Sequence, residues 1–389
     1  MSSGTQPLGP MRILLTNTQL AHRTGSELYV VELALALRAR GHDPVVYSAA
    51  LGELARELAA GGVAVTDTLE ALAEPPDLIH GHHHTGTLAA LLHFQGVPGL
   101  FVCHGYEPWE EAPLLFPRLL RWVAVDLPTR ERLTAAGVPA ERLETILNFV
   151  DLDRFQPRPP LPPRPRRALV FSNNAHEGTH LPAVRAACAA AGIEMDVAGI
   201  ASGRVADRPE RLLPAYDLVF AKARAAIEAL AVGAAVVLCD AAGCGPMVAS
   251  SNLDRLRPLN FGFRALDQPL SVPALADQIA RYDPSDAKRV SDNLRQVAGL
   301  DRAVARYLDL YRRILDEHRT TASAATDTAA EGRAAAAYLR WLDPYLKERE
   351  RALIDRAALW QRVHALEEER DRLKSQAAAT VGPQADSIS

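Results

Sequence analysis

The sequence has few cysteines and no long apolar segment. Its 389 residues include four cysteines, Cys103, Cys188, Cys239 and Cys244. Cys239 and Cys244 lie close together, but no second pair supplies the spacing of a zinc site. No stretch approaches the roughly 18 consecutive apolar residues that a transmembrane helix requires. We therefore expect reduced thiols, a cytoplasmic location and no transmembrane segment.

The sequence also lacks an excess of charge of either sign. The formal net charge is −4 at pH 7, and charged residues make up 23% of the chain. Nucleic-acid-binding domains usually carry a strongly basic patch, so we expect no nucleic-acid partner. Hydrophobic residues, at 48%, are as frequent as in ordinary soluble globular proteins. A chain of this length can hold two domains with sizeable cores.

Residues 217–240 form the most informative stretch of the chain. Residues 218–220 make a short apolar run of the kind found in strands that are buried on both faces. Residues 225–232 are rich in Ala, Glu and Leu, which favour helix. Gly233 stands where a C-terminal helix cap is expected, and residues 236–238 form the next apolar run. The order predicts strand, loop, helix and strand.

Three charged residues lie where the first of these strands leads into the helix. Lys222, Arg224 and Glu228 cluster at this point, and open α/β sheets bind their ligands at that edge. A helix N-terminus offers free N–H groups and a partial positive charge, so two cations beside it could hold a diphosphate. Glu228, one turn into the helix, could accept hydrogen bonds from sugar hydroxyls. The alternative is a surface ion pair between Arg224 and Glu228, four residues apart.

The N-terminal region predicts a βαβ unit. Residues 12–16 form an apolar run, residues 27–40 a helical pattern, and residues 44–47 a second apolar run. The turn between the first strand and the helix contains Gly25. A glycine there would let a phosphate or an acceptor approach the backbone closely, although a plain tight turn explains it equally well.

Four histidines lie near the ends of two further predicted strands. His80, His82 and His84 alternate along the chain, and His104 ends the next strand. Such a group could in principle ligate a metal. An imidazole can instead donate a hydrogen bond to a sugar hydroxyl or to developing charge. A purely structural hydrogen bond from His104 to a neighbouring loop is the third interpretation.

The central stretch resembles the donor-binding segment of glycosyltransferases with the GT-B fold, especially family 4. That segment reads Gly-Arg-x-x-x-Glu-Ala-x-Ala-x-Gly before a Val-Val strand, and the matching residues here are Arg224, Glu228, Ala229, Ala231 and Gly233. The first βαβ unit is similar to the opening of the same family, with Thr24-Gly25 where two glycines are usual. Residues 147–155 resemble its Pro-Asn-Gly-Val-Asp-x-x-x-Phe segment. The resemblance covers residues 11–318.

The resemblance implies an α/β chain with the GT-B architecture, in which two doubly wound Rossmann-like domains face a central cleft. It implies transfer of a sugar from a nucleotide-diphosphate donor to an unspecified acceptor, with retention at the anomeric carbon and without a metal or other cofactor. His104, at a strand end that faces the transferred sugar in this family, and Glu228 are the expected catalytic residues. The expected donor-binding residues are Gly25, Asn173, Lys222, Arg224, Glu228, Gly243 and Gly245. The last two belong to an expected loop over residues 240–249.

The sequence departs from the family pattern at two places. The loop over residues 172–178 lacks the Arg and Lys that bind the donor diphosphate in family 4, and Phe220 takes the place of the first glutamate of the usual pair. These losses favour a second hypothesis, a catalytically silent GT-B protein that acts as a scaffold through its C-terminal helices. A third, an isomerase of nucleotide sugars on the same fold, lacks a recognisable acid/base set.

The chain is expected to contain two domains joined and followed by less regular segments. We expect a disordered leader (1–10), an N-terminal acceptor-side domain (11–156), a Pro/Arg linker (157–166), a C-terminal nucleotide-sugar-binding domain (167–319), a second linker (320–330), a helical extension (331–376) and a disordered tail (377–389). The Pro/Arg run is a stiff, extended segment, with an SH3-type ligand as its alternative reading.

The C-terminal extension is charged and helical in pattern. Leu346, Leu353 and Trp360 repeat every seven residues, but Glu367 interrupts the seam. Pro344 predicts a break in the helix. The segment could form a coiled-coil dimer, pack on the body of the protein or dock a partner, and the pattern leaves these three open.

Overall fold

The computed structural model describes residues 9–321 and 328–380. The chain divides into two compact units, Met1–Thr326 and Asp327–Ser389. The first unit contains two β-sheets with their helices, and the second contains one long helix. None of the helices in the described ranges is both long and apolar enough to span a membrane.

The first sheet has seven parallel strands. They are β1 (Arg12–Asn17), β2 (Asp43–Ser48), β3 (Ala64–Thr66), β4 (Leu78–His82), β5 (Gly99–Cys103), β6 (Leu119–Ala124) and β7 (Leu143–Thr145). Their spatial order is β3-β2-β1-β4-β5-β6-β7, and every neighbouring pair is parallel. The helices of this N-terminal lobe are α1 (Gly25–Ala39), α2 (Glu53–Ala60), α3 (His84–His93) and α4 (Leu127–Ala135).

The second sheet has five strands, four of them parallel. They are β8 (Arg167–Phe171), β9 (Glu194–Ala198), β10 (Leu218–Ala221), β11 (Ala235–Asp240) and β12 (Gly243–Met247), in the order β12-β11-β10-β8-β9. The helices of this C-terminal lobe are α5 (Leu181–Ala190), α6 (Pro209–Leu212), α7 (Ala223–Val232), α8 (Leu253–Leu256), α9 (Val272–Ile279) and α10 (Pro284–Val297). Two apolar cores contain residues of this sheet and its helices, which explains the unbroken apolar runs of its strands.

The helix α11 (Leu300–Thr321) returns the chain to the N-terminal lobe. Its apolar residues Val304, Tyr307, Tyr311 and Ile314 are buried in the core of the first sheet. The predicted α/β class, with two doubly wound bodies and a C-terminal helical segment, is confirmed. The strand order reverses next to β1 in the first sheet and next to β8 in the second. Each reversal leaves a crevice at the carboxyl ends of the strands, where ligands of such sheets bind.

The structure corrects several predictions in the C-terminal region. Helix α12 (Thr328–Thr380) runs without interruption through Pro344, so the predicted break is wrong. Strong helix formers on both sides outweigh the one hydrogen bond that proline removes. Helix α11 extends to Thr321 and helix α12 begins at Thr328, so the helices enter the expected linker from both sides. Helix α12 also continues to Thr380, into the expected tail. The expected leader and tail otherwise fall in residues 1–8 and 381–389, outside the described residues.

A second correction concerns residues 240–249, which were expected to form a loop. Gly243–Met247 is instead the antiparallel strand β12, paired with β11. Gly243 has a φ of +156°, and a Cβ there would lie 2.8 Å from the carbonyl oxygen of Gln268. A Cβ on Gly245 would collide with the carbonyl oxygen of Ala265. Close backbone packing inside the lobe therefore explains both glycines. The loop prediction was wrong because two glycines and a proline in five residues give β12 little strand signal.

Candidate active site

A cavity of about 140 Å³ lies between the N-terminal and C-terminal lobes. Gly25 and Glu32 of α1 line it from the N-terminal lobe. Asn173, directly after β8, and Arg224 and Glu228 of α7 line it from the C-terminal lobe. Four of the predicted donor-binding residues thus meet at one place, at the edge where the strands of the second sheet end.

The segment that starts α7 positions Arg224 and Glu228. Ala223 has a φ of +50°, a conformation that non-glycine residues rarely adopt, and its N–H donates to the carbonyl oxygen of Phe261 at 2.8 Å. Gly233, with a φ of +89°, ends the helix in the left-handed conformation as predicted. The i, i+4 spacing then places the Arg224 and Glu228 side chains on one face of α7.

Arg224 joins carboxylates from both lobes. Its Nε donates to Glu228 Oε1 at 2.8 Å, and its Nη2 donates to Glu32 Oε1. Only 14% of the Arg224 side chain and 5% of each of the two glutamate side chains are exposed. The ion pair between Arg224 and Glu228 therefore exists, but it is buried at the lobe junction and is not the surface pair considered from the sequence.

Glu32 also connects this pair to a second arginine. Arg154 donates to Glu32 Oε1 at 3.3 Å through Nη1 and to Glu210 Oε2 at 3.1 Å through Nη2. We call Glu32, Arg154, Glu210, Arg224 and Glu228 the inter-lobe ion cluster. Sequence reasoning missed Glu32 and Glu210. Glu32 is 192 positions away from Arg224, and its one sequence signal is a charged residue within the apolar pattern of α1.

The cluster changes the protonation behaviour of its members. Burial raises the pKa of Glu228, and the charge of Glu32 raises it further, although Arg224 opposes both effects. Burial lowers the pKa of Arg224, but the neighbouring Glu32 and Glu228 outweigh burial and leave that pKa raised. Arg224 therefore stays charged, while Glu228 takes up a proton more readily than an ordinary glutamate.

The structure places Lys222 beside a different partner. Its Nζ lies 2.5 Å from Oδ2 of Asp240 at the end of β11. Burial raises the pKa of Asp240, but the hydrogen bond and charge of Lys222 outweigh it, so the pKa is lowered. Asp240 Oδ1 also accepts from Ser172, a cavity-lining residue, at 3.2 Å. Lys222 is thus connected to the cavity-lining Ser172 through Asp240 and does not itself line the cavity.

His104 lies after β5 in the N-terminal lobe and contacts other aromatic rings. Its Nε2 is 2.6 Å from Nδ1 of His82, and its ring meets the ring of Tyr29 edge-on at 4.8 Å. Its backbone N–H donates to Glu111 Oε2 at 2.7 Å. Burial lowers the pKa of His104 to about 4, so the imidazole is neutral at pH 7.

The neighbouring histidines form a structural polar cluster. His83 has a φ of +62°, and its Nε2 lies 3.2 Å from Glu111 Oε1. Burial lowers the pKa of His83, but the hydrogen bond and charge of Glu111 outweigh it, so the pKa is raised. Across the described part of the chain, no group of three or more His, Cys, Asp or Glu side chains is arranged to hold a metal ion. Sequence reasoning considered His80, His82, His84 and His104 together, but it did not identify Glu111 as the partner of this region.

Comparison with known proteins defines the class of this fold. Residues 23–154 match the family model described as Glycosyltransferase Family 4. A glycosyltransferase from Rickettsia africae is similar in structure, with a TM-score of 0.59, 16% identity, and coverage of 79% of this chain and 99% of that chain. No curated protein sequence matches the chain.

Two further solved structures share the architecture. HepE from Anabaena in complex with UDP and glucose aligns with a TM-score of 0.57 and 15% identity over 78% of this chain and 100% of that chain. Sucrose-phosphate synthase from Thermosynechococcus elongatus aligns with a TM-score of 0.56 and 16% identity over 79% and 100%. The chain therefore has the GT-B fold, and its N-terminal lobe matches Family 4. The GT-B fold that the resemblance implied is confirmed.

Proposed function

We propose that the protein transfers a sugar from a nucleotide-diphosphate donor to an acceptor. The observation that carries this proposal is the inter-lobe cavity, to which Gly25, Asn173, Arg224 and Glu228 contribute from opposite lobes. A cation, a helix N-terminus and an amide group converge there with a carboxylate. This is the set of groups that a charged diphosphate and a polyhydroxylated sugar require.

The residues of the cavity retain hydrogen-bonding capacity for a donor. Arg224 uses two of its nitrogens toward Glu228 and Glu32, and a guanidinium has five N–H groups in all. Glu228 uses Oε1 toward Arg224, which leaves Oε2 for a sugar hydroxyl. Asn173 accepts the N–H of Ile200 at 3.2 Å through Oδ1, so its amide N–H₂ can donate to a phosphate oxygen.

The missing Arg and Lys of the family loop are replaced in this proposal. Arg224 neutralises the departing diphosphate directly, and Lys222 does so by exchanging its bond to Asp240 for a phosphate oxygen. Charge that develops on a leaving group is where preorganised donors help most. Gly25 approaches the sugar from the N-terminal lobe, where it lines the cavity, whereas His104 lies outside the cavity lining and would reach the sugar as the lobes close. Closure would also exclude water.

The relatives support a choice of donor class and of stereochemistry for this proposal. The HepE structures are described as complexes with UDP, with UDP and glucose, and with UDP-glucose, so a UDP-sugar is the first donor to test. The Family 4 match over residues 23–154 supports retention at the anomeric carbon. The four cysteines are buried free thiols, which supports a reducing, cytoplasmic location that cell fractionation can check.

The test is thermal stabilisation by a panel of UDP-, GDP- and TDP-sugars. A ligand that binds the folded state alone raises its stability by about 2.7 kcal/mol at a hundredfold excess over Kd. We expect one donor to stabilise the protein and Glu228→Gln to abolish that effect. Asp292→Asn, at an exposed acid of α10 that is paired with Lys288, is the control and should respond like the natural protein. Absence of a shift with every donor would support the scaffold hypothesis.

We propose that α12 mediates association with a second copy of the chain. Leu339, Leu346, Leu353 and Trp360 recur at seven-residue intervals with 61%, 54%, 45% and 60% exposure. Leu359, Leu366 and Leu373 form a second exposed column, about 100° further around the helix. Heptad columns of this kind pack against another helix. Light scattering should give a dimer mass that Leu359→Glu with Leu366→Glu reduces to the monomer mass. A monomer at high concentration would rule out the dimer.

A further inference from the structure

Three imidazole rings stack in a row at the carboxyl ends of β4 and β5. His80 and His82 are two residues apart and therefore lie on the same face of β4. Their ring centroids are 4.5 Å apart at an interplanar angle of 12°. His82 and His104 continue the row at 4.8 Å and 17°. The far end is anchored to α11, because His80 Nδ1 lies 2.6 Å from the hydroxyl of Tyr311.

One proton joins His82 to His104. His82 Nδ1 and His104 Nε2 are 2.6 Å apart, a hydrogen-bond distance. Burial lowers the pKa of His104 to about 4 and the pKa of His82 well below its ordinary value, so both rings are neutral near pH 7. A neutral imidazole carries one proton, on either nitrogen. Either His82 donates to His104, or His104 donates to His82.

The second nitrogen of His82 decides between these two arrangements. Within the described residues, His82 Nε2 is buried and has no hydrogen-bond partner. If His104 donated, the His82 proton would sit on this nitrogen, as a buried N–H group without an acceptor. Buried N–H groups without a partner are rarer in proteins than under-satisfied acceptors. The arrangement in which His82 Nδ1–H donates to His104 Nε2 is therefore the stable one.

We propose that His82 sets the tautomer of His104, so that His104 offers an Nδ1–H donor and has no basic nitrogen free. The role of this donor rests on the glycosyl transfer proposed above, whereas the tautomer itself does not. In that reaction His104 donates a hydrogen bond to a sugar hydroxyl or to the departing oxygen and does not abstract a proton. His82 acts through His104 and is a positioning residue.

The first test reads the tautomer directly in the full-length protein without a donor. In protein labelled with ¹⁵N-histidine, we expect pyrrole-type shifts for His82 Nδ1 and His104 Nδ1, and a pyridine-type shift for His104 Nε2. The signals are assigned by their loss in single-site variants. A pyrrole-type shift for His104 Nε2 would overturn the proposal. Because no sugar donor is present, this result is independent of the outcome of the donor panel.

The second test uses variants of His82. His82→Asn places an amide N–H₂ near the position of Nδ1, and His82→Phe keeps a flat ring without a donor. We expect His82→Phe to lower kcat by roughly tenfold or more with little change in KM, and His82→Asn to recover much of that loss. Equal activity in the two variants, with an unchanged His104 spectrum in His82→Phe, would contradict the positioning role. A purely structural role would instead lower activity only as thermal stability falls.

Discussion

Arg224 connects the two lobes electrostatically. It binds Glu32 of α1 and Glu228 of its own helix, and all three side chains are buried. Removal of one member of a buried ion pair leaves an uncompensated charge, which typically costs about 3–5 kcal/mol. The same residue is the main diphosphate ligand in the proposed function. Structural and binding roles therefore overlap at this position, and substitutions elsewhere separate them better.

Glu228 allows a pH test of donor binding. Its pKa is raised by burial, and the ionised carboxylate accepts hydrogen bonds from sugar hydroxyls more strongly than the protonated acid does. Donor affinity should therefore fall on acidification at a pH above that of an ordinary glutamate, and recover as the pH rises. Isothermal titration between pH 5 and 8 measures this acid limb. Glu228→Gln should bind weakly at every pH, and an acid limb that persists in this variant would exclude Glu228 as its source.

Substitution of Gly25 can separate an effect on donor binding from an effect on folding. Among the described atoms, nothing lies within 4 Å of a Cβ placed on Gly25, so Gly25→Ala should not destabilise the fold. If the donor approaches this backbone closely, the added methyl group should weaken its binding by roughly tenfold, or about 1.4 kcal/mol. Titration of donor into the variant measures the change.

Gly332, in helix α12, is the matched control for Gly25. A Cβ there also meets nothing within 4 Å in the described structure. Gly332→Ala should leave donor binding unchanged. Unchanged affinity in Gly25→Ala would mean that the glycine only forms the turn before α1, the alternative considered from the sequence.

At the scale of elements, helix α7 begins with a residue in a strained backbone conformation. Ala223 has a φ of +50°, which costs an L-residue roughly 1–2 kcal/mol. Ala223→Gly should relieve this cost, less the added entropy of the unfolded chain, and should raise the free energy of unfolding by about 0.5–1 kcal/mol. Urea denaturation measures the change.

The control for Ala223 lies in the interior of the same helix. Ala226 is fully buried in α7, and Ala226→Gly should lower the free energy of unfolding by about 1 kcal/mol. Opposite signs at two alanines three residues apart would identify backbone conformation as the cause. Destabilisation by both substitutions would contradict the strain at Ala223.

The sequence predicted elements better than it predicted their ends and irregularities. The strand, helix and strand of 217–240 are present as β10, α7 and β11 because apolar runs and helix formers act locally. β12 was missed because its glycines and proline carry little strand signal. The break at Pro344 was predicted from a rule that the neighbouring helix formers override.

At the scale of the whole molecule, buried histidines make stability depend on pH. Burial lowers the pKa of His80 to about 3 and those of His84 and His104 to about 4. In the unfolded chain these imidazoles take up protons below about pH 6.5, whereas the folded ones do so only near pH 4 or below. Unfolding therefore binds protons, and stability falls as the pH drops from about 6.5 to 4.

Urea denaturation at pH 7 and pH 5 tests this dependence. Each such histidine can contribute at most about 1.4 kcal/mol per pH unit, so the natural protein should be clearly less stable at pH 5. His80→Phe removes one of them, and the difference between the two pH values should shrink. An unchanged difference in His80→Phe would show that other groups cause the pH dependence.

The amino-acid sequence alone was enough to predict two largely parallel sheets, the helix α7 and the adjacency of Arg224 and Glu228. Apolar periodicity reports which faces are buried, and an i, i+4 spacing makes two side chains neighbours wherever the helix lies. The pairing of Glu32 with Arg224, of Lys222 with Asp240 and of His82 with His104 became known from the folded structure. These partners are distant in sequence, and local patterns carry no information on which element covers which.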